Sequence, residues 1–312
     1  MTNQNFLVTK STIVLVCMAC FLMTFKTLYA QDIEPRRWTP MPLGVHVLGL
    51  GYGYQAGTLY FDPTLQIENA SVDVNLIGLQ YFQPFKLGNK LARLDVKIPY
   101  LSAHWDGLLA GNPESISRHG FADPILRMSL NLIGPDAFDS KGIKEYYAAN
   151  PVNTIFGVSL AVTFPFGQYY SDKLLNLGQN RFVFRPQMGM VHNWGLWSYE
   201  LTTSVYIFTN NNNFYNNQTR RQDPLFAVQT HLIRQFKNRM WTSISAGYGV
   251  AGESSINNIE KKDNRSDILG EVALGFPLFK KQAVKVTYLR TQTFNDIGSD
   301  TNTFAMGWSL VF

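Results

Sequence analysis

With 312 residues, a net charge of +5 and 16% charged residues, the chain is long enough for one large domain and only mildly basic. That charge comes without clustered Lys/Arg or a reader motif, which argues against nucleic acid as a partner. Both cysteines, Cys17 and Cys20, precede residue 31, so the remainder holds no disulfide, thiol nucleophile or cysteine-ligated metal.

Residues 1–30 read as a secretory signal peptide. Lys10 supplies the positive start, residues 12–25 form an apolar run, and Ala30 offers a small residue at the cut before Gln31. The run falls short of the roughly twenty residues a spanning helix needs, and no later stretch is a better candidate. Neither cysteine sits in a lipoprotein cleavage box. Residues 31–41 carry Pro35 and Pro40 and show no periodicity, so they form an irregular lead-in, either left in the periplasm or acting as a plug.

From residue 42 to residue 312 the sequence alternates in short runs. Residues 43–54, rich in Gly and Tyr, and residues 72–82 are the first two expected strands, each with a phase slip that suggests a bulge. The third sets Ala92, Leu94, Val96, Ile98 and Tyr100 against Arg93, Asp95 and Lys97. The fourth opposes Leu126, Met128 and Leu130 to Asp123, Arg127 and Ser129, and the fifth opposes Phe156, Val158 and Leu160 to Gly157, Ser159 and Ala161. In the sixth, Phe184 and Met188 face away from Arg185 and Gln187. In the seventh, Trp197, Tyr199 and Leu201 face away from Ser198, Glu200 and Thr202.

The eighth strand opposes Phe226, Val228 and Leu232 to Gln229 and His231, and the ninth opposes Ile244 and Tyr248 to Ser243 and Ser245. The tenth opposes Val272 and Leu274 to Glu271 and Ala273, and the eleventh opposes Val284, Val286 and Tyr288 to Lys285 and Thr287. The twelfth, residues 303–312, puts Phe304, Met306, Trp308, Leu310 and Phe312 on one face and only small or uncharged residues on the other. Strands with one large apolar face and one polar or small face suit a wall between lipid and a packed or wet lumen. The expected fold class is all-β, a transmembrane antiparallel up-and-down β-barrel of about twelve strands over residues 42–312.

The connections support this. Long ones (residues 55–71, 102–120, 165–180, 210–223, 252–267 and 295–302) alternate with short ones (84–89, 193–195, 237–239 and 279–281). One intermediate link, 134–151, is expected to hold a short periplasmic helix over 139–149. Short periplasmic turns and long outer loops are the asymmetry of bacterial outer-membrane barrels, and an even strand count leaves both termini in the periplasm. Aromatics gather near strand ends, among them Tyr52, Tyr100, Trp194, Trp197 and Trp241, as girdles do at headgroup level. A last strand ending on Phe312 resembles the signal read by the barrel assembly machinery.

Three segments carry a family resemblance: Gly120-Phe121-Ala122-Asp123-Pro124-Ile125-Leu126-Arg127, Phe164-Pro165-Phe166-Gly167-Gln168-Tyr169 and Asn176-Leu177-Gly178-Gln179-Asn180-Arg181. They resemble landmarks of the putative MetA-pathway of phenol degradation family, whose members are often called transporters. Phe166 departs from the smaller residue expected in that turn. The resemblance covers most of the chain from about Gly44 on. It implies an outer-membrane barrel that passes small, partly hydrophobic or aromatic compounds, and it implies no catalysis.

Charge inside a membrane protein is costly unless it meets water or a partner, so inward ionisable groups mark where function belongs. Arg93, Asp95, Lys97, Asp123, Arg127, Arg185, Glu200, His231, Glu271 and Lys285 all fall on the inferred lumenal face. Mixed signs favour pairing across strands that fills a narrow barrel; the alternative is a path for anionic or polar solutes lined by Arg93, Lys97, Arg127 and Arg185. Asp123 before Pro124 is a turn former or a partner for Arg127. Pro99, Pro124, Pro165, Pro186 and Pro277 end strands or mark kinks, and kinks offer a side gate toward the bilayer.

A lipid hydrolase is the competing reading, since His104 lies near Ser102 and His119 near Ser117, but no third member stands out. No His/Asp spacing suits a metal. The Asn-rich stretch 210–217 leaves an adhesin or structural barrel as a further alternative. The sequence therefore points to an outer-membrane channel or transporter for small organic solutes, hydrophobic or aromatic ones included, working by passive diffusion without cofactor or covalent step. Its partners are outer-membrane lipid, the assembly machinery and the solute.

Overall fold

The computed structural model describes residues 33–61, 66–264, 266–293 and 295–312. The expected leader, residues 1–30, lies outside the described residues. Among the described residues seventeen strands and one helix follow in order: β1 (Val47–Tyr60), β2 (Ile67–Leu87), β3 (Lys90–Leu109), β4 (Asn112–Phe121), β5 (Ile125–Ile133), α1 (Ser140–Ala149), β6 (Val152–Thr163), β7 (Val183–Trp194), β8 (Trp197–Phe208), β9 (Asn211–Phe214), β10 (Gln218–Gln222), β11 (Leu225–Gln235), β12 (Trp241–Ala251), β13 (Ser254–Ile256), β14 (Ile259–Glu260), β15 (Asp267–Phe279), β16 (Gln282–Thr293) and β17 (Gly298–Val311).

The wall is a closed antiparallel barrel of twelve strands. β4 and β5 together make one of them, because both pair with β3, β5 along its first half and β4 along its second. Closure comes from β1 against β17, in unbroken register from Val47↔Val311 to Tyr60↔Gly298. His46 and Phe312 exchange backbone hydrogen bonds of 2.9 Å at its end.

Burial is inverted relative to a water-soluble protein. Along β7, Arg185, Gln187 and Gly189 are buried while Phe184 and Met188 are exposed, and along β12 the serines Ser243 and Ser245 are buried while Ile244 is 68% exposed. A polar interior behind an apolar outer face is stable only where that outer face meets lipid. No helix among the described residues is long and apolar enough to cross a membrane.

Two connections expected as long loops prove to be sheet. β1 continues through Tyr60 and β2 begins at Ile67, while β3 and β4 carry residues 101–109 and 112–121 past the wall as a hairpin turning at Ala110-Gly111. β2 is 21 residues against 12 for β7 and β8, a difference of about 30 Å of strand at ~3.4 Å per residue. Above the membrane both faces of a strand meet water, so these extensions carry no apolar period for the sequence to show. The bulges expected at residues 47–48 and along 72–82 are absent, since β1 and β2 stay in step with each other from Val47↔Phe82 to Leu59↔Ala70. Residues 43–46 precede the first strand. Residues 210–223 and 252–267 contain the small hairpins β9–β10 and β13–β14, which pair with each other at the long-loop end.

At the opposite, short-turn end, α1 forms where the intermediate link stood. The Asp139 side chain accepts from the backbone N–H of Lys141 and Gly142 at 3.1 and 2.8 Å, capping the first turn.

Candidate functional site

Residues 33–41 pass through the lumen, and the inner wall is shaped to receive them. Trp38 is 1% exposed. Its indole lies against Gly157 and Gly189, which face each other across β6 and β7; a Cβ at either would approach the ring to 2.6 and 2.1 Å. Its Nε1–H donates to Thr202 Oγ1 at 2.7 Å, and Ile155, Val191 and Tyr147 of α1 complete the contact. Only glycines leave room for an indole flat against a strand pair.

Around this anchor the expected inward charges assemble in three groups. The first surrounds Glu34, whose carboxylate pairs with Lys97 and Arg127; Arg127 Nη2 donates to it at 3.0 Å and Arg37 lies 3.7 Å away. Asp95 takes Arg93 at 2.6 Å and Arg37 at 3.5 Å. The Arg37 backbone N–H donates to Glu200 at 3.1 Å, its guanidinium donates to Ser129, and the Glu34 N–H donates to Gln229 at 3.0 Å. Arg93, Asp95, Lys97, Arg127 and Glu200 thus come together through Glu34 and Arg37, two residues that carry no periodic signal. Apart from Arg93 with Asp95 on one strand, none of these bonds joins two wall residues directly.

The second group lies toward the long-loop end, in a cavity of about 410 Å³ lined by Arg127, Arg181, Arg185, Arg220, Tyr206 and Phe208 among others. The three resemblance segments build its rim. Asp123 does not pair with Arg127 there: its carboxylate accepts the backbone N–H of Gly167 at 2.9 Å and of Gln179 at 2.7 Å. Phe121 O accepts from Gln168 at 2.8 Å, so the loop of residues 164–182 folds over the barrel mouth. A Cβ on Gly167 or Gly178 would come within 2.7 or 2.9 Å of residues 122–123, which fixes both positions as glycine.

This fold-over carries Arg181 inward. Its guanidinium sits 4.3 Å from the Phe208 ring and donates to Gln222 at 2.6 Å. Arg185 lies over Tyr206 at 4.6 Å, where the β7–β8 ladder skips Arg185 and Pro186 because proline has no N–H to give. Burial, reinforced by Arg220, pushes the Arg181 guanidinium down to about 9, and burial lowers Arg220 as well, partly offset by Asp263. Arg181, Arg220, Tyr206 and Phe208 were not among the expected site residues. Two of them sit in loop segments and the other two follow the last clear alternation of their strand.

The third group holds the rest. His231 and Glu271 flank Ser245 across adjacent ladders, buried on the inner face, with Lys285 as the cation acting on both. Among the described residues no cluster of His, Asp or Glu is placed to hold a metal.

Outside the barrel, on the tall sheet, His104 Nδ1 meets Ser117 Oγ at 2.7 Å and His104 Nε2 meets Asp106 at 3.1 Å. The pairing His104–Ser102 expected from spacing is not the one formed; His104 and Ser117 oppose each other across β3 and β4. In a nucleophilic triad the serine meets Nε2 and the acid meets Nδ1, inside a pocket with oxyanion donors. Here the nitrogens are reversed and His104 and Asp106 are about half exposed.

No curated protein matches the chain. Among solved structures, an outer membrane channel from Pseudomonas putida F1 is similar with a TM-score of 0.73 at 18% identity, covering 90% of this chain and 100% of that one. The transport unit of the autotransporter AIDA-I from Escherichia coli has a TM-score of 0.52 at 10% identity, covering 91% of this chain and 94% of that one. Both share the barrel fold. A family profile matches residues 62–293, more than half of the sequence, and the chain belongs to the family described as putative MetA-pathway of phenol degradation.

Proposed function

We propose that the protein is an outer-membrane channel through which small organic solutes, hydrophobic and aromatic ones included, diffuse passively, with residues 33–41 as its plug. The observation that carries this reading is the closed barrel whose interior is polar and charged, with a cavity at one mouth and Trp38 and Glu34 held across the rest of the lumen. A purely structural barrel needs neither the indole slot nor the cavity. The short-turn end with α1 faces the periplasm and the loop end faces outward, the orientation of bacterial barrels. The last strand, ending on Phe312, is the part offered to the assembly machinery, and outer-membrane lipid contacts the apolar outer face. The name of the Pseudomonas putida neighbour supports a channel role, and no cofactor or covalent step is invoked.

Liposome swelling and single-channel conductance of the refolded protein test this, with sugars, amino acids and small phenols compared. Solute-dependent flux that rises when the plug is released by Glu34→Gln supports the channel; a barrel that stays silent to every solute after release refutes it. The Ser117, His104 and Asp106 contacts keep a lipid hydrolase as a second reading, against which their reversed ring nitrogens count. Fatty-acid release from outer-membrane lipid that is abolished by Ser117→Ala would establish it, and no release is expected.

A further inference from the structure

The loop-end cavity is lined by more basic than acidic side chains. Its lining includes Arg127, Arg181, Arg185 and Arg220 but only one acid, Asp123. Asp123 is committed to two backbone N–H groups, and Arg127 is committed to Glu34. Arg181 is 7% exposed, and its Nη1 has no hydrogen-bond partner among the described residues. A buried guanidinium with an unmade hydrogen bond is expensive, and proteins keep one where a ligand completes it. The lowering of Arg181 by burial and by Arg220 agrees, since both disfavour the charged form that an incoming anion would stabilise.

The remaining walls define the rest of the ligand. Phe208 and Tyr206 lie beneath Arg181 and Arg185, and Val183, Leu177 and Leu225 add apolar surface. A planar fork of N–H donors matches a carboxylate, and the rings beneath match a flat apolar body. A cavity of about 410 Å³ suits a molecule of one ring.

We infer that this cavity is a binding site for a small organic monoanion with an apolar body, in chemical class an aromatic carboxylate, gripped by Arg181 beside Arg220. The inference rests on the channel reading for the solute's passage, and it names the solute class that reading left open.

Titration calorimetry on the detergent-solubilised barrel tests the site without requiring transport. The probes are benzoate, benzyl alcohol as its neutral counterpart, and inorganic phosphate as an anion without a ring. Saturable benzoate binding is expected, weaker on the order of 10-fold for benzyl alcohol and for the Arg181→Gln variant. Benzyl alcohol binding as well as benzoate to the unaltered protein overturns the charge argument, whether or not the variant folds. Phosphate binding as well as benzoate overturns the apolar half. A folded Arg181→Gln barrel, checked by its gel shift on boiling, that keeps full benzoate affinity overturns the assignment of Arg181. Conductance separates the two readings: flux without benzoate binding removes the site and leaves the channel, whereas benzoate binding without flux removes the channel and leaves the site.

Discussion

Two groups of arginines share one lumen, and the fold treats them differently. Arg37, Arg93 and Arg127 are closed off by the chain's own carboxylates, Glu34 and Asp95, within a few ångströms. Arg181 and Arg220, one barrel mouth away, rest on the Phe208 and Phe214 rings and meet no carboxylate at ion-pair distance among the described contacts. The difference teaches that position in a barrel does not decide what a buried cation is for. A cation answered by an internal acid holds structure, and a cation answered by rings and amides alone is available to a ligand.

Glu34→Gln is expected to have the largest effect. It removes the Glu34 carboxylate from the buried Arg127, a loss of about 3–5 kcal/mol in the docking of residues 33–41. Trypsin is then expected to cut at Arg36 and Arg37 faster than in the unaltered protein, and conductance should rise. If the segment stays protected, the closed group is not what holds it.

Gly189→Ala attacks the same docking from the wall side. Its Cβ would sit 2.1 Å from the Trp38 indole nitrogen and 2.8 Å from the Leu201 carbonyl, a clash worth about 1–3 kcal/mol. The expected outcome is partial release, read as faster amide exchange over residues 33–41 with the barrel ladder unchanged. Arg181→Gln should behave in the opposite way. The unfolding free energy of the barrel in urea should fall by no more than about 1 kcal/mol, because the arginine removed has no ion pair to break. A larger loss would place Arg181 with the structural group and dissolve the comparison. The smallest effect belongs to Ser117→Ala on the tall sheet, where an exposed hydrogen bond to His104 is lost and neither folding nor flux should change.

Much of the wall was legible because lipid on one side and water on the other impose a period of two. Strands such as β7, with Arg185 and Gln187 inward and Met188 outward, match their alternation. Where that asymmetry ends, legibility ends too. Residues 101–109 and 112–121 are strand, yet they have water on both faces and read as loop. The site was half legible for a related reason. Inward charges such as Asp95 and Glu200 follow from phase, but their partners Glu34 and Arg37 lie in an aperiodic segment, and Arg181 enters through a loop that Asp123 folds inward. The paired glycines Gly157 and Gly189 were the one available clue, since two inward positions without side chains leave a gap that something must fill.

The seam between β1 and β17 also sets the order in which this protein can fold. Hairpins such as β2–β3, β7–β8 and β15–β16 join near neighbours across turns of two to a few residues and close quickly. Val47 must instead find Val311, and the entropy of closing so long a loop delays that ladder until nearly the whole wall exists. The seam is therefore the last part of the barrel to form, and the edges it leaves unpaired until then are where a kinetically trapped or aggregating intermediate would be exposed.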